Sequence, residues 1–404
     1  MARVLIGWEL GAGFGHITRL IAIAHAIRAR GHQPFLALRN LVETWPAYRS
    51  ESFPVLQAPM WQPSTSAQRF HASSIADIIA MSGFLDPADL MPMVRAWDRL
   101  IDAVRPEVIV ADYSPTLCLA TYGAHHLVVI GDGFTAPPDH LPSFPVLRPT
   151  SPRTASEERI VGVIRAVQNA RGRPPLDRLP QLFAAHSRFV CTLPELDPYR
   201  AHRTTPAEGA FQPLPQPAPR VQKPGFFAYL ATDARFIGTA VRGLAQAPVK
   251  GRIYIRRATR ATKGALQERG HTVYDAPAPI LEVLREEPVI LHHGGIGTTE
   301  TALACGRPQI LFPRHLEQQL TATAIEQLGV GLAMKANFTE ADVVAALQRV
   351  LDDPGFAERA QAFATTIAGR TYGDNIARIA DRCAGIAAPR AAPGGTASAR
   401  SAAP

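Results

Sequence analysis

Cysteine is scarce in this chain: four in 404 residues, at positions 118, 191, 305 and 383, with no close pair. That spacing argues against a disulfide framework or a thiolate metal cluster and for reduced thiols, so a cytoplasmic protein is expected. No apolar run approaches the length of a membrane-spanning helix. Residues Met1 to Trp8 run straight into a strand pattern, without the apolar core or small-residue cleavage site of a secretory signal. Lysine is scarce as well. The 42 basic and 34 acidic residues leave a net charge of +8, yet few of the basic residues are lysine and they form no dense block. This balance suits anionic small molecules such as nucleotides. It allows peripheral contact with a membrane surface and speaks against nucleic acid. It leaves monomer and homodimer equally open.

What is present reads as two α/β halves. Apolar residues make up 47% of the chain, enough for each half to bury its own core. In the first half, strand patterns at Val4–Trp8, Pro34–Leu38, Val108–Ala111 and Leu127–Ile130 alternate with helical ones, among them Ile17, Leu20, Ile21, Ala24 and Ile27. Further helices are expected near Met91–Val104 and Thr116–Tyr122. Six prolines between Thr205 and Pro224 mark an interdomain linker. The alternation then resumes with strands at Phe226–Ala231, Arg252–Ile255, Val289–Leu291 and Gln309–Phe312. Helices follow near Thr298–Cys305, Glu317–Leu328 and Glu340–Leu351, the last with a capping start at Thr339 and Asp342. The expected organisation is an N-terminal domain over 1–204, a linker over 205–224 and a C-terminal domain over 225–386. The last helices have the option of packing back on the first domain, and a tail from 387 is expected to be disordered. The fold class is two doubly wound Rossmann-like domains facing across a cleft, with ligands at the carboxyl ends of the strands.

Two turns carry the chemistry. Leu291-His292-His293-Gly294-Gly295-Ile296-Gly297-Thr298-Thr299-Glu300 reads as a buried strand, a glycine-rich turn and a helix N-terminus. Such a turn presents free N–H groups and a helix dipole to a phosphate. The other turn, Gly11-Ala12-Gly13-Phe14-Gly15-His16, follows the first strand. Its glycine spacing is wrong for a dinucleotide fingerprint, and the second strand ends in Arg39-Asn40 with no acidic ribose partner. His16 reads as a general base or, equally, as a histidine that caps its helix. Asp112, at the end of the Val108–Ala111 strand, is a partner that fixes an imidazole tautomer. Its plain alternative is an Asp bonded within its own turn. Glu317 and Gln318, at a later helix start, suit sugar hydroxyls or simple helix capping.

These motifs resemble the nucleotide-sugar-dependent glycosyltransferases of the GT-B type, nearest the branch of UDP-glycosyltransferases and bacterial macrolide glycosyltransferases. The resemblance is strong over Val273–Gly331, weaker at Gly11–Arg19 and Val108–Asp112, and negligible between about 135 and 225. It implies that His293 contacts a diphosphate, that Gly294, Gly295, Gly297 and Thr298 line it, and that Glu317 and Gln318 touch the sugar. It also implies that His16 is the base and Asp112 its partner. Main-chain groups near Ala276 and Ile280 would hold the nucleotide base, with no aromatic platform evident. Glu317 stands where Asp is usual. Arg19 stands where proline is usual, which leans toward the cell-envelope branch.

The implied activity is inverting transfer of a sugar from a UDP- or dTDP-sugar to a hydroxyl of a small molecule, lipid or glycan. The nucleotide sugar is a co-substrate, so no cofactor is expected. No metal is expected either, because no Asp-x-Asp pair falls at a strand end. Gly15, Trp61, Phe84 and Phe134 are acceptor-side candidates, each as readily explained as local core. The rival readings are a sugar-nucleotide epimerase or hydrolase, which would cluster carboxylates at the anomeric site, and a non-catalytic nucleotide-sugar-binding relative.

Overall fold

The computed structural model describes residues 1–11, 13–62, 72–149 and 155–387. Ala12, Pro63 and the tail expected beyond Ala387 lie outside the described residues. The first sheet contains β1 (Arg3–Trp8), β2 (Gln33–Leu38), β3 (Val55–Gln57), β4 (Val108–Asp112), β5 (Leu127–Gly131) and β6 (Ser187–Val190). Its helices are α1 (Phe14–Ala29), α2 (Leu41–Tyr48), α3 (Ile75–Ala80), α4 (Pro87–Val104), α5 (Pro115–Thr121) and α6 (Glu157–Ala170). The second sheet contains β7 (Phe226–Ala231), β8 (Gly251–Arg256), β9 (Thr272–Val273), β10 (Ile290–His292), β11 (Gln309–Leu311) and β12 (Gly331–Ala333). With it go α7 (Ile237–Ala245), α8 (Arg260–Glu268), α9 (Ile280–Glu286), α10 (Ile296–Ala304), α11 (Leu316–Gln327), α12 (Glu340–Asp352), α13 (Pro354–Ala368) and α14 (Asn375–Ala387).

Every strand pairing is parallel. The spatial orders are β3-β2-β1-β4-β5-β6 and β12-β11-β10-β7-β8-β9. The second repeats the topology of the first, so each sheet reverses its winding once, between β1 and β4 and between β7 and β10. Those switch points open a crevice at the strand ends, where ligands sit in open α/β sheets. The central strands β4 and β5 are buried along their whole length, as strands covered by helices on both faces must be.

No helix or strand falls within 205–224, although Ala207, Phe211 and Ala218 are buried there. The last helix crosses back. α14 packs against α1, and its Ile379, Ala380 and Cys383 join the core formed by Val4, Ile6, Ile17 and Leu20. Asn375, at its start, donates from Nδ2 to the carbonyls of Glu208, Gly209 and Ala210. All four cysteines are buried and free. Among the described residues, no helix is long and apolar enough to cross a membrane.

Candidate functional site

The N-terminal switch point holds a histidine by three means. His16 lies in the first turn of α1, and the register of β1 with β4 sets Trp8 opposite Asp112. The His16 ring stacks on Trp8, with centroids 4.9 Å apart and planes 15° apart. Its Nδ1 lies 2.8 Å from Oδ2 of Asp112, a carboxylate with 0% exposure. The Tyr113 ring lies near parallel to the His16 ring as well, with centroids 6.4 Å apart. Leu10 donates its N–H to the Tyr113 carbonyl at 3.0 Å, which ties the loop after β1 to the end of β4. Gly11 (φ 86°) passes so close to the ring that an added Cβ would lie 2.5 Å from His16 Nε2. Only glycine fits there.

Arg19 completes this cluster, and it was legible in the sequence only as an unexpected residue. It is buried three positions after His16, on the same face of α1. Its Nε donates to Asp112 Oδ2 at 3.0 Å and its Nη2 to Oδ1 at 2.6 Å, a two-pronged grip. Nη2 also lies 2.5 Å from His16 Nδ1. Nδ1 cannot donate to Asp112 and accept from Arg19 at once. With its proton on Nδ1, the imidazole keeps the Nε2 lone pair that a base requires. Burial pushes the Asp112 carboxyl up, but Arg19 and His16 outweigh it and hold the group below its usual range. Asp132, just after β5, lies 3.9 Å from Arg19 Nη1 and accepts from the N–H groups of Phe134 and Thr135. The apolar strand ending in an acid that pointed to Asp112 was equally present before Asp132.

The second switch point presents an uncapped helix N-terminus. Gly294 (φ 86°) turns the chain in a conformation few other residues adopt, and a Cβ there would stand 3.0 Å from Leu311 Cδ2. α10 begins at Ile296, two residues earlier than its sequence pattern suggests, so Gly297 and Thr298 fall in its first turn. No side chain caps this helix and no acid occupies its first turn. Its leading N–H groups have no intrahelical partners. A Cβ at Gly295 or Gly297 would meet nothing within 4 Å, so the space above the turn is open.

His292 and His293 are both spoken for by the protein. His292 Nε2 bonds the Gln309 side-chain oxygen at 2.8 Å, and its Nδ1 accepts the Gly294 N–H at 3.1 Å. His293 Nδ1 meets the Phe312 carbonyl at 3.0 Å, and its Nε2 accepts the Ala231 N–H at 2.9 Å. Burial pushes both down to about 4, so both are neutral. With both ring nitrogens engaged, His293 ties together the ends of β7, β10 and β11.

Glu317, in the first turn of α11, lines a narrow cleft together with Asp132, Phe134 and Ile296. Burial, and then the Asp132 carboxylate, raise its carboxyl. Gln318 accepts the Arg314 N–H at 3.0 Å and so closes the preceding loop. Glu300 on α10 reaches the other domain, where it accepts from the Thr192 hydroxyl at 3.0 Å and the Leu193 N–H at 2.9 Å.

The remaining expected residues divide. Ala276 is exposed, and Ile280 begins α9, half-buried. Gly15 is exposed beside His16, and Phe134 lines the cleft. Trp61 is half-buried and packs over Gly83, whose Cβ would come 3.2 Å from its ring. Phe84 has 0% exposure inside the largest N-terminal core cluster.

Two Rossmann-type domains whose switch points face one cleft define the GT-B class of fold. Residues 271–384 match the C-terminal domain of erythromycin biosynthesis protein CIII-like proteins. Two curated relatives align with shorter segments. Vancomycin aglycone glucosyltransferase of Amycolatopsis orientalis is 39% identical over 88 residues, 22% of this chain and 21% of its own. Erythronolide mycarosyltransferase of Saccharopolyspora erythraea is 36% identical over 83 residues, 20% of each chain. The chain thus aligns with about a fifth of the length of these relatives. The fold is shared over nearly the whole length. The spinosyn rhamnosyltransferase SpnG superposes with a TM-score of 0.67 at 18% identity, covering 95% of this chain and 100% of that one. The calicheamicin glycosyltransferase CalG4 does so with a TM-score of 0.68 at 18% identity, covering 95% and 98%. This chain has the GT-B fold, and its residues 271–384 are similar to the C-terminal domain of erythromycin biosynthesis protein CIII-like proteins.

Proposed function

We propose that this protein is an inverting, metal-independent glycosyltransferase that moves a sugar from a nucleoside diphosphate to a hydroxyl of an apolar acceptor. The observation that carries the reading is the 2.8 Å pairing of His16 with a buried carboxylate in one domain, set against the uncapped N-terminus of α10 in the other. His16 Nε2 takes the acceptor proton as the hydroxyl oxygen attacks the anomeric carbon. The bond to the diphosphate breaks on the opposite face, so the configuration inverts. Charge gathers on the leaving diphosphate, where the α10 dipole and its free N–H groups stabilise it. Each such donor is worth about 3 kcal/mol where oxyanion donors have been removed by mutation. Glu317 and Gln318 border the place of the sugar. Ala276 and Ile280 lie where the base would be held, and Gly15, Trp61 and Phe134 stand on the acceptor side. SpnG has been solved with thymidine diphosphate and with spinosyn aglycone, which favours dTDP-sugars and an aglycone as first substrates.

Transfer from dTDP- and UDP-sugars to a panel of aglycones, with and without EDTA, tests the proposal. Transfer insensitive to EDTA, abolished in His16→Ala while dTDP still binds, supports it. Equal rates in wild type and His16→Ala remove His16 as the base. One observation favours a second reading. Asp132 and Glu317 line the same cleft near His16, the clustered carboxylates expected of a sugar-nucleotide hydrolase. Release of free sugar without acceptor, lost in Glu317→Gln, would select that reading.

A further inference from the structure

We propose that Arg19 is a positioning residue for the His16–Asp112 pair: its fork fixes the buried carboxylate against the imidazole, and its charge opposes a second proton on that ring. The inference rests on the reading of His16 as the base. Asp112 is buried, and among the described residues the side-chain partners of its carboxylate are His16 and Arg19. A carboxylate held by two parallel N–H donors has one orientation rather than many. The orientation it has aims Oδ2 at Nδ1. The guanidinium is fixed in turn. It lies 4.7 Å from the ring of Phe211, in the proline-rich segment, and burial keeps solvent from replacing its contacts.

The charge balance gives Arg19 a second role. Around His16 and Arg19 stand Asp112 and Tyr113 at the end of β4, Asp132 after β5, and Cys191 after β6. From the other domain come Glu300 on α10 and His315 and Glu317 at the start of α11. Among these acidic groups Arg19 sets one fixed positive charge against the imidazole. Its Nη2 lies 2.5 Å from Nδ1. Arginine suits the task because it stays charged and planar when buried.

The test compares Arg19→Met, Arg19→Gln and Arg19→Lys by two measurements. One is ¹⁵N NMR titration of the His16 imidazole in protein without substrate. The other is the pH profile of kcat/KM for transfer. In R19M and R19Q the His16 titration and the acid limb of the profile should both move up by about one pH unit or more. The plateau rate should fall about ten- to hundredfold as the pair loses alignment. R19K should restore the limb, through its charge, but only part of the plateau, because it lacks the fork. Should R19M fail to fold, R19Q and R19K carry the comparison. A lower Tm with an unmoved titration and limb would overturn the proposal and leave Arg19 as a fold-stabilising partner of Asp112. The NMR arm separates the two ideas. A His16 titration that moves in a protein without transferase activity would refute the function and keep the coupling.

Discussion

Gly11 gives the sharpest test of the catalytic geometry, because a second glycine in the same loop serves as its control. Gly11 has φ 86° and Gly13 has φ 89° with ψ −177°, so alanine at either position bears a positive-φ backbone cost, on the order of 1–3 kcal/mol. Their surroundings differ. A Cβ at Gly11 would lie 2.5 Å from His16 Nε2, 3.2 Å from Cδ2 and 3.3 Å from Cε1, whereas one at Gly13 meets nothing within 4 Å. Ordinary contact between carbon and nitrogen needs about 3.5 Å. Gly11→Ala must therefore push the imidazole by roughly 1 Å, and the ring cannot yield without leaving Trp8 or Asp112. A displacement of about 1 Å in a reacting group costs on the order of 100-fold in rate. The assay is kcat for transfer in both variants beside wild type, with dTDP affinity by calorimetry and Tm by thermal melting. Both variants should lose a few degrees of Tm and keep nucleotide affinity. Gly11→Ala should lose about two orders of magnitude in kcat and Gly13→Ala only a few-fold. Equal kcat in the two alanine variants would refute the placement of His16 at the reacting centre.

The other predictions concern the donor turn and the core. His292 titrates at about 4 in the fold because burial disfavours its charge, against 6.5 unfolded. Its contribution to stability is complete above pH 6.5 and is lost as pH falls through 4, a change of about 3 kcal/mol. Urea unfolding at pH 7 and pH 4.5 should show a shallower acid loss in His292→Gln than in wild type. Glu9 and Glu300, pushed up to about 7 by burial, act in the opposite direction, so the comparison between variant and wild type is the informative one. An unchanged acid loss would show that His292 does not stay neutral in the fold. Phe84→Ala should cost about 3–5 kcal/mol as a cavity in the core while leaving acceptor preference unchanged. A switch in acceptor profile without loss of stability would return Phe84 to the binding surface.

The sequence alone determined the alternation of strands and helices, because apolar periodicity reports which side of each element faces a core. It also determined the two glycine turns, since a backbone at positive φ leaves glycine as its signature at Gly11 and Gly294. Asp112 was legible as the acid that ends an apolar strand. Short strands at the sheet edges, such as β3, β9 and β12, were not, because two or three residues carry too little pattern. Contacts across the fold were not legible either. Only the tertiary structure decided that Arg19 grips Asp112, 93 residues away, and that α14 returns to the first domain. It also decided that both nitrogens of His293 are taken by backbone groups at the ends of other strands. A motif states which groups are present at a turn. Which of their hydrogen-bonding positions remain free for a ligand depends on what the rest of the chain brings against them.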